Sequence, residues 1–199
     1  MRNTIILLLA AGISGMLFSC GKEENEPAIE SKTFVIDVRN SSGWKYFSFA
    51  EDDTIAVSDP SASTEWDLAF QRYRIRTNGG ESGKGLGAAA NTGQKGQAGF
   101  DAVKSADDTF KFMDDGPVSI AVQQGYETFI LNPELYTWFT MEQASQGTQI
   151  APSDFVYIVR TATGKYAKIW FKSYYSATNI SGHITFQYKY QPDGSGNLE

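Results

Sequence analysis

The sequence predicts an all-β fold: a single domain of antiparallel hairpins and meanders around a ligand cleft, with little helix. Three observations point there. Aromatic residues make up 14% of the chain, and many recur at alternate positions, the period of a half-buried strand. Clusters of Gly, Asn, Asp, Ser and Pro break the β-branched and aromatic runs into short segments. No segment of convincing length repeats its apolar residues at the helical period of about 3.6.

The N-terminus stands apart from this pattern. Arg2 precedes an apolar run from Ile5 to Ala11 that continues to Met16, Leu17 and Phe18. A basic start and an apolar stretch too short to span a bilayer read as a secretory signal over residues 1–19. It ends in Leu17-Phe18-Ser19-Cys20, which has the form of a bacterial lipobox, so Cys20 is the expected lipidation site. Cys20 is also the one cysteine of the chain, which rules out an intramolecular disulfide. Residues 20–31 read as an acidic tether, opening with Gly21-Lys22-Glu23-Glu24. A lysine and two acids behind the lipid resemble the surface-export signal of lipoproteins in gut and oral anaerobes. The expected location is the outer membrane, lipid-anchored and exposed at the cell surface.

Removal of residues 1–19 leaves 199 − 19 = 180 residues and takes the formal charge from −6 to −7, because Arg2 is lost. That length suits one β domain, residues 32–191, with a C-terminal tail at 192–199. An acidic chain is a poor match for phosphate backbones, so nucleic acid is not an expected partner.

In order along the domain, Lys32–Val38 reads as a strand stopped by the Asn40–Gly43 turn cluster. Trp44–Phe49 and Thr54–Val57 continue it as a hairpin-and-meander start. Trp66–Thr77 reads as one alternating strand ending at Asn78-Gly79-Gly80. Its arginines, Arg72, Arg74 and Arg76, would share one face, either exposed to solvent or meeting ligand carboxylates. Residues 78–99 read as a long Gly-rich loop, functional or mobile. They lack both the spacing and the strand–helix frame of a phosphate loop.

The segment Phe110–Met141 reads as short strands at Phe110–Met113, Ser119–Val122 and Tyr126–Leu131. Turns are expected at Asp114-Asp115-Gly116-Pro117 and Asn132-Pro133-Glu134. Phe155–Thr161, Tyr166–Tyr174 and His183–Tyr190 are the clearest strands. In the last, Ile184, Phe186, Tyr188 and Tyr190 face one way, and His183 lies on the polar face.

An enzyme is not expected. A nucleophilic triad needs a histidine near a serine or cysteine with an orienting acid; the chain has one histidine, on a regular strand, and one cysteine, at the lipid. The adjacent Asp114-Asp115 is not a glycosidase arrangement. In the mature chain the methionines are Met113 and Met141 alone. They are either flexible packing residues of a β core or a pair of soft metal ligands.

The lipobox with its tether, the block TEWDLAFQRYRIRTNGG (Thr64–Gly80) and the closing GKYAKIWFKSYY and GHITFQYKY (Gly164–Tyr175, Gly182–Tyr190) resemble the HmuY-like family of haem-binding lipoproteins, or haemophores. The resemblance spans essentially the whole mature chain. It implies an all-β domain in which two axial residues hold haem (iron protoporphyrin IX) in a surface cleft. The captured haem is then delivered to an outer-membrane, TonB-dependent haem receptor. Family members use paired histidines or paired methionines. With one histidine present, the resemblance assigns the iron to Met113 and Met141, 28 positions apart. Porphyrin also needs apolar walls, for which Tyr126, Phe129, Tyr136, Trp138 and Phe139 are the local candidates. Thioether ligation implies a preference for ferrous haem and little pH dependence between about 5 and 8. The alternatives are a surface glycan- or protein-binding β module, or a haemophore scaffold that has lost its haem.

Overall fold

A computed structural model describes residues 29–199 except 41, 108 and 146; the signal segment, Cys20 and most of the tether lie outside the described residues. In chain order, strands β1 (Lys32–Asp37), β2 (Lys45–Ser48), β3 (Asp53–Ile55), β4 (Leu68–Gln71) and β5 (Arg74–Thr77) come first. Strand β6 (Ala88–Lys95) runs into the helix α1 (Gly96–Ala102). Two hairpins follow: β7 (Gly116–Val122) with β8 (Gly125–Leu131), then β9 (Phe139–Ala144) with β10 (Gly147–Pro152). A 3-10 turn at Leu135–Trp138 joins them. Strands β11 (Phe155–Arg160), β12 (Tyr166–Tyr175) and β13 (Ser181–Gln191) complete the chain. The all-β expectation holds. Among the described residues no helix is long and apolar enough to cross a membrane.

Two sheets carry the fold. One has five strands in the order β1-β13-β12-β11-β6, and the other has four in the order β3-β2-β4-β5. The main core draws on both. Ile36, Ile169, Phe171, Ile184, Phe186 and Tyr188 from the larger sheet meet Phe47, Leu68, Phe70 and Ile75 from the smaller. The period-two pattern of β12 and β13 is what aims these side chains at one face. Each fully buried aromatic or aliphatic side chain contributes about 1.5–3 kcal/mol. Phe186 is the hub, in ring contact with Phe34, Phe47, Phe70, Phe171 and Tyr188.

The opposite face of the larger sheet is covered by α1. Phe100 and Val103 pack on Val156, Ile158 and the near-terminal Leu198. Lys168 projects into this layer, and its Nζ donates to the carbonyls of Phe100 (2.9 Å) and Val103 (2.6 Å). A lysine there satisfies carbonyls at the end of a helix. Burial pushes its pKa down to about 8. The C-terminal residues also belong to this layer. Leu198 is buried and its N–H donates to the Lys104 carbonyl.

Several expectations need correction. Strand β1 does not start a meander: it pairs with β13, from Lys32↔Tyr188 to Asp37↔His183, bringing the two ends of the domain side by side. The expected strand Trp66–Thr77 is a hairpin, β4 and β5, folded at Arg72-Tyr73. Arg72 takes φ 55° there, so it leaves the face that Arg74 and Arg76 share. Residues 78–99 are not one loop, because they contain β6 and the start of α1. Ala88, Ala89 and Ala90 are fully buried against β11; three small side chains carry too weak an apolar signal to announce a strand. Phe110–Met113 forms no strand beyond a single bridge at Met113, and Gly116-Pro117 opens β7 rather than closing a turn.

Candidate functional site

Strands β5 and β6 are the edges of their respective sheets, and the 3-10 turn packs against both. Leu135 and Trp138 of that turn are buried in the main core, so the turn closes the open side of the two-sheet stack. Trp138 Nε1 donates to the Tyr73 carbonyl at 2.9 Å, tying the turn to the β4–β5 hairpin. The two smaller hairpins leave the body on either side of this turn.

Met113 lies just before the first hairpin. Its N–H donates to the Ala89 carbonyl at 2.8 Å and its carbonyl accepts from the Ala89 N–H at 3.1 Å. Opposite residues in such a bridge put their side chains on the same face, here the face on which Ala89 meets the core. Met113 is nevertheless part-exposed. Two polar residues fix its segment. Asn132, fully buried, donates its amide to the Met113 carbonyl at 2.8 Å. Asp115, also buried, accepts from the Thr77 N–H and from the Thr77 hydroxyl at 2.6 Å. Burial pushes the Asp115 carboxyl up to about 6 against the pull of these bonds.

Met141 sits on β9 opposite Ile150. Phe139 and Ile150 pack against the core, and Met141 follows two residues beyond Phe139 on the same face. There the hairpin leaves the body, and Met141 is 53% exposed. Met113 is thus part-buried and Met141 exposed, and they precede and follow the 3-10 turn in the chain.

The expected aromatic walls divide. Phe129, Tyr136 and Phe139 are part-buried, with Tyr136 edge-on to Phe139 at 5.5 Å. Tyr126 is 77% exposed near the tip of the first hairpin. Trp138 is corrected: at 1% exposure it is a core residue in tilted ring contact with Phe171 and Tyr174, its indole N–H bonded to the Tyr73 carbonyl. Tyr73 was missed. Its ring lies 5.1 Å from that of Phe139, and its place at a hairpin turn was hidden by reading β4 and β5 as one strand. His183 lies on the polar face, with Nδ1 3.1 Å from the Ile180 carbonyl and Nε2 4.0 Å from Asp37.

This donor set fits a porphyrin iron in kind, since it holds two uncharged thioethers, with the part-exposed rings of Phe129, Tyr136 and Phe139 on neighbouring segments. Four surface hollows, including one over Asp37 and Arg39 and one over Ser48, Glu51 and Asp67, are lined by other parts of the chain. Neither methionine is among their walls.

Comparison with known proteins gives the family. The sequence profile described as HmuY protein matches residues 40–188. No curated protein matches the chain. Among solved structures, a protein of Bacteroides vulgatus ATCC 8482 described as HmuY-like and haem-binding is 25% identical, with a TM-score of 0.60 over 82% of this chain and 93% of that one. A protein of Bacteroides fragilis NCTC 9343 described as a lipoprotein is 24% identical, with a TM-score of 0.60 over 84% and 94%. The apo HmuY analogue of Tannerella forsythia is 21% identical, with a TM-score of 0.59 over 84% and 100%.

Proposed function

The chain belongs to the HmuY family, and from that premise we propose that it captures haem between Met113 and Met141. In this reading a lipid on Cys20 tethers it to the outer membrane, facing outward, and the haem is handed to a TonB-dependent outer-membrane receptor. The observation that carries the reading is the shared frame of the two methionines. Asn132 holds the Met113 carbonyl through its amide, and its Oδ1 accepts the Leu135 N–H at 3.1 Å, at the start of the turn that leads to Met141. Neither residue is among the fully buried core, the usual place for a packing methionine.

The protein's own contribution follows from the side chains. Thioether sulfur has no proton to lose near neutral pH and prefers electron-rich iron. Phe129, Tyr136 and Phe139 offer apolar faces to the macrocycle while their other sides rest on the body. Haem is cargo here, so the site has to release it as well as hold it. Ligands on a strand that leaves the core and on a single bridged residue suit that task better than ligands locked inside a sheet.

The test is a haem titration of the soluble domain followed through the Soret band. Wild type is expected to bind. Met113→Ala and Met141→Ala should each weaken binding by about tenfold or more, and the double variant should abolish it. A wild-type protein that gives no Soret band overturns the proposal, and is what a glycan-binding module would show.

A further inference from the structure

From Met113 to Pro152, the span holding both methionines and both small hairpins, the chain has no Lys or Arg and carries five acids: Asp114, Asp115, Glu127, Glu134 and Glu142. A haem brings two carboxylates of its own. Any cation that receives them has to come from a neighbouring element. Arg160 of β11 is one neighbour, but its guanidinium is taken up by Asp114 (3.4 Å) and the Leu86 carbonyl, and Lys172 of β12 donates to Gln187. Strand β5 is another, because the Asn132 N–H donates to the Ile75 carbonyl at 3.2 Å and Arg76 Nε donates to the Ile130 carbonyl at 2.8 Å.

Three arginines lie on this hairpin, and two are engaged. Arg76 spends its Nε on Ile130 and covers Trp44 at 4.0 Å. Arg72, in the turn, lies 5.8 Å over Tyr174, on the side of β12. Arg74 differs. Its guanidinium lies 4.3 Å over the Phe129 ring, and its charge is near enough to Tyr136 to pull the pKa of that phenol down against the larger effect of burial. Its Nε is enclosed yet has no hydrogen-bond partner, and no ion pair among the described residues includes it. An arginine stays ionised and presents a rigid fork of donors, and an enclosed donor left unpaired is costly.

We infer that Arg74 is the residue that pairs with a carboxylate of the bound porphyrin, its guanidinium held over the Phe129 ring of the first small hairpin. This rests on the haem reading above and adds to it the source of charge. A planar guanidinium takes a carboxylate through two parallel bonds, and no hydrogen bond or ion pair among the described residues takes up that of Arg74. The site thereby selects a porphyrin with free acid side chains over an esterified one.

The experiment compares haemin with haemin dimethyl ester in wild type, Arg74→Gln and Arg74→Lys. Wild type is expected to prefer haemin by about tenfold, the scale of one charge-assisted bond. R74Q should lose that preference by weakening haemin alone, with the Soret position and the ester affinity unchanged. R74K should restore part of it. Retained ester affinity also shows that the variant is folded, which a purely packing role for Arg74 would not couple to esterification. The inference is overturned if R74Q binds haemin with the wild-type preference. It is overturned equally if wild type itself does not distinguish the two porphyrins, a result that needs no variant. A wild type that binds neither porphyrin removes the haem reading and this inference together.

Discussion

The side-chain amide of Asn132 donates to the main-chain carbonyl of Met113 across 2.8 Å, while the same side chain caps the Leu135 N–H at 3.1 Å. One buried residue thus joins the strand edge that carries the first methionine to the turn that leads to the second. Asn132→Ala leaves the Leu135 N–H without its partner and removes one of the two bonds to the Met113 carbonyl, which keeps the Ala89 N–H. Such a loss costs about 1–3 kcal/mol, and urea unfolding should show it. A loss below about 1 kcal/mol would mean that the two segments are held by something else.

The Gly-rich stretch is predicted to be a fixed part of the body. A Cβ on Gly79 would stand 1.9 Å from the Gly87 carbonyl oxygen, a backbone atom that cannot swing aside. Gly79→Ala should destabilise the domain by about 2 kcal/mol or more, in the range of strained core substitutions. Gly43→Ala, which meets nothing within 4 Å, is the control. Equal stability of the two variants would contradict this packing.

Asp67 supplies a pH dependence. Its carboxylate accepts the Phe49 N–H at 2.9 Å and the Ala162 N–H at 3.1 Å, and burial pushes its pKa up to about 6 from 3.8. A folded-state pKa above the unfolded one contributes stability that is present in full below the unfolded value and is lost as pH rises through the folded one. Asp67→Asn loses one acceptor at every pH but does not titrate. The stability gap between wild type and D67N should therefore narrow as pH rises from 4 to 8, read by thermal melts across that range. A gap that widens would show the carboxylate to be stabilised in its charged form.

Soft, uncharged axial ligands favour the ferrous state and raise the potential of bound haem. Titration under dithionite should give an affinity at least about tenfold above that for ferric haem. Equal affinities, or a spectrum of the imidazole type, would remove thioether ligation.

Much of the larger sheet was legible in the residues because alternation is a local signal. The expected strands Phe155–Thr161, Tyr166–Tyr174 and His183–Tyr190 correspond to β11, β12 and β13, and the turns between them make these strands neighbours. What the pattern does not carry is distant pairing. Strand β1 finds β13 across more than half the chain, and β6 is a strand because β11 and the Met113 bridge take up its backbone, not because Ala88-Ala89-Ala90 announces one. The hairpin turn at Arg72-Tyr73 was hidden for a related reason. An arginine at φ 55° stands where Gly or Asn is the usual signal. Of the site, the two methionines were singled out by composition and resemblance. Asn132 was read as a turn residue, and its hold on Met113 exists only once the chain is folded. Trp138 looked like a free ring beside Tyr136 and Phe139, yet its bond to the Tyr73 carbonyl turns it into the core.

The most direct measurement is a crystal structure of the protein with haem bound, the iron located by its anomalous signal. The account predicts iron between the sulfurs of Met113 and Met141. Iron bound by any other pair of side chains, or by one methionine alone with the second still turned to solvent, would contradict it.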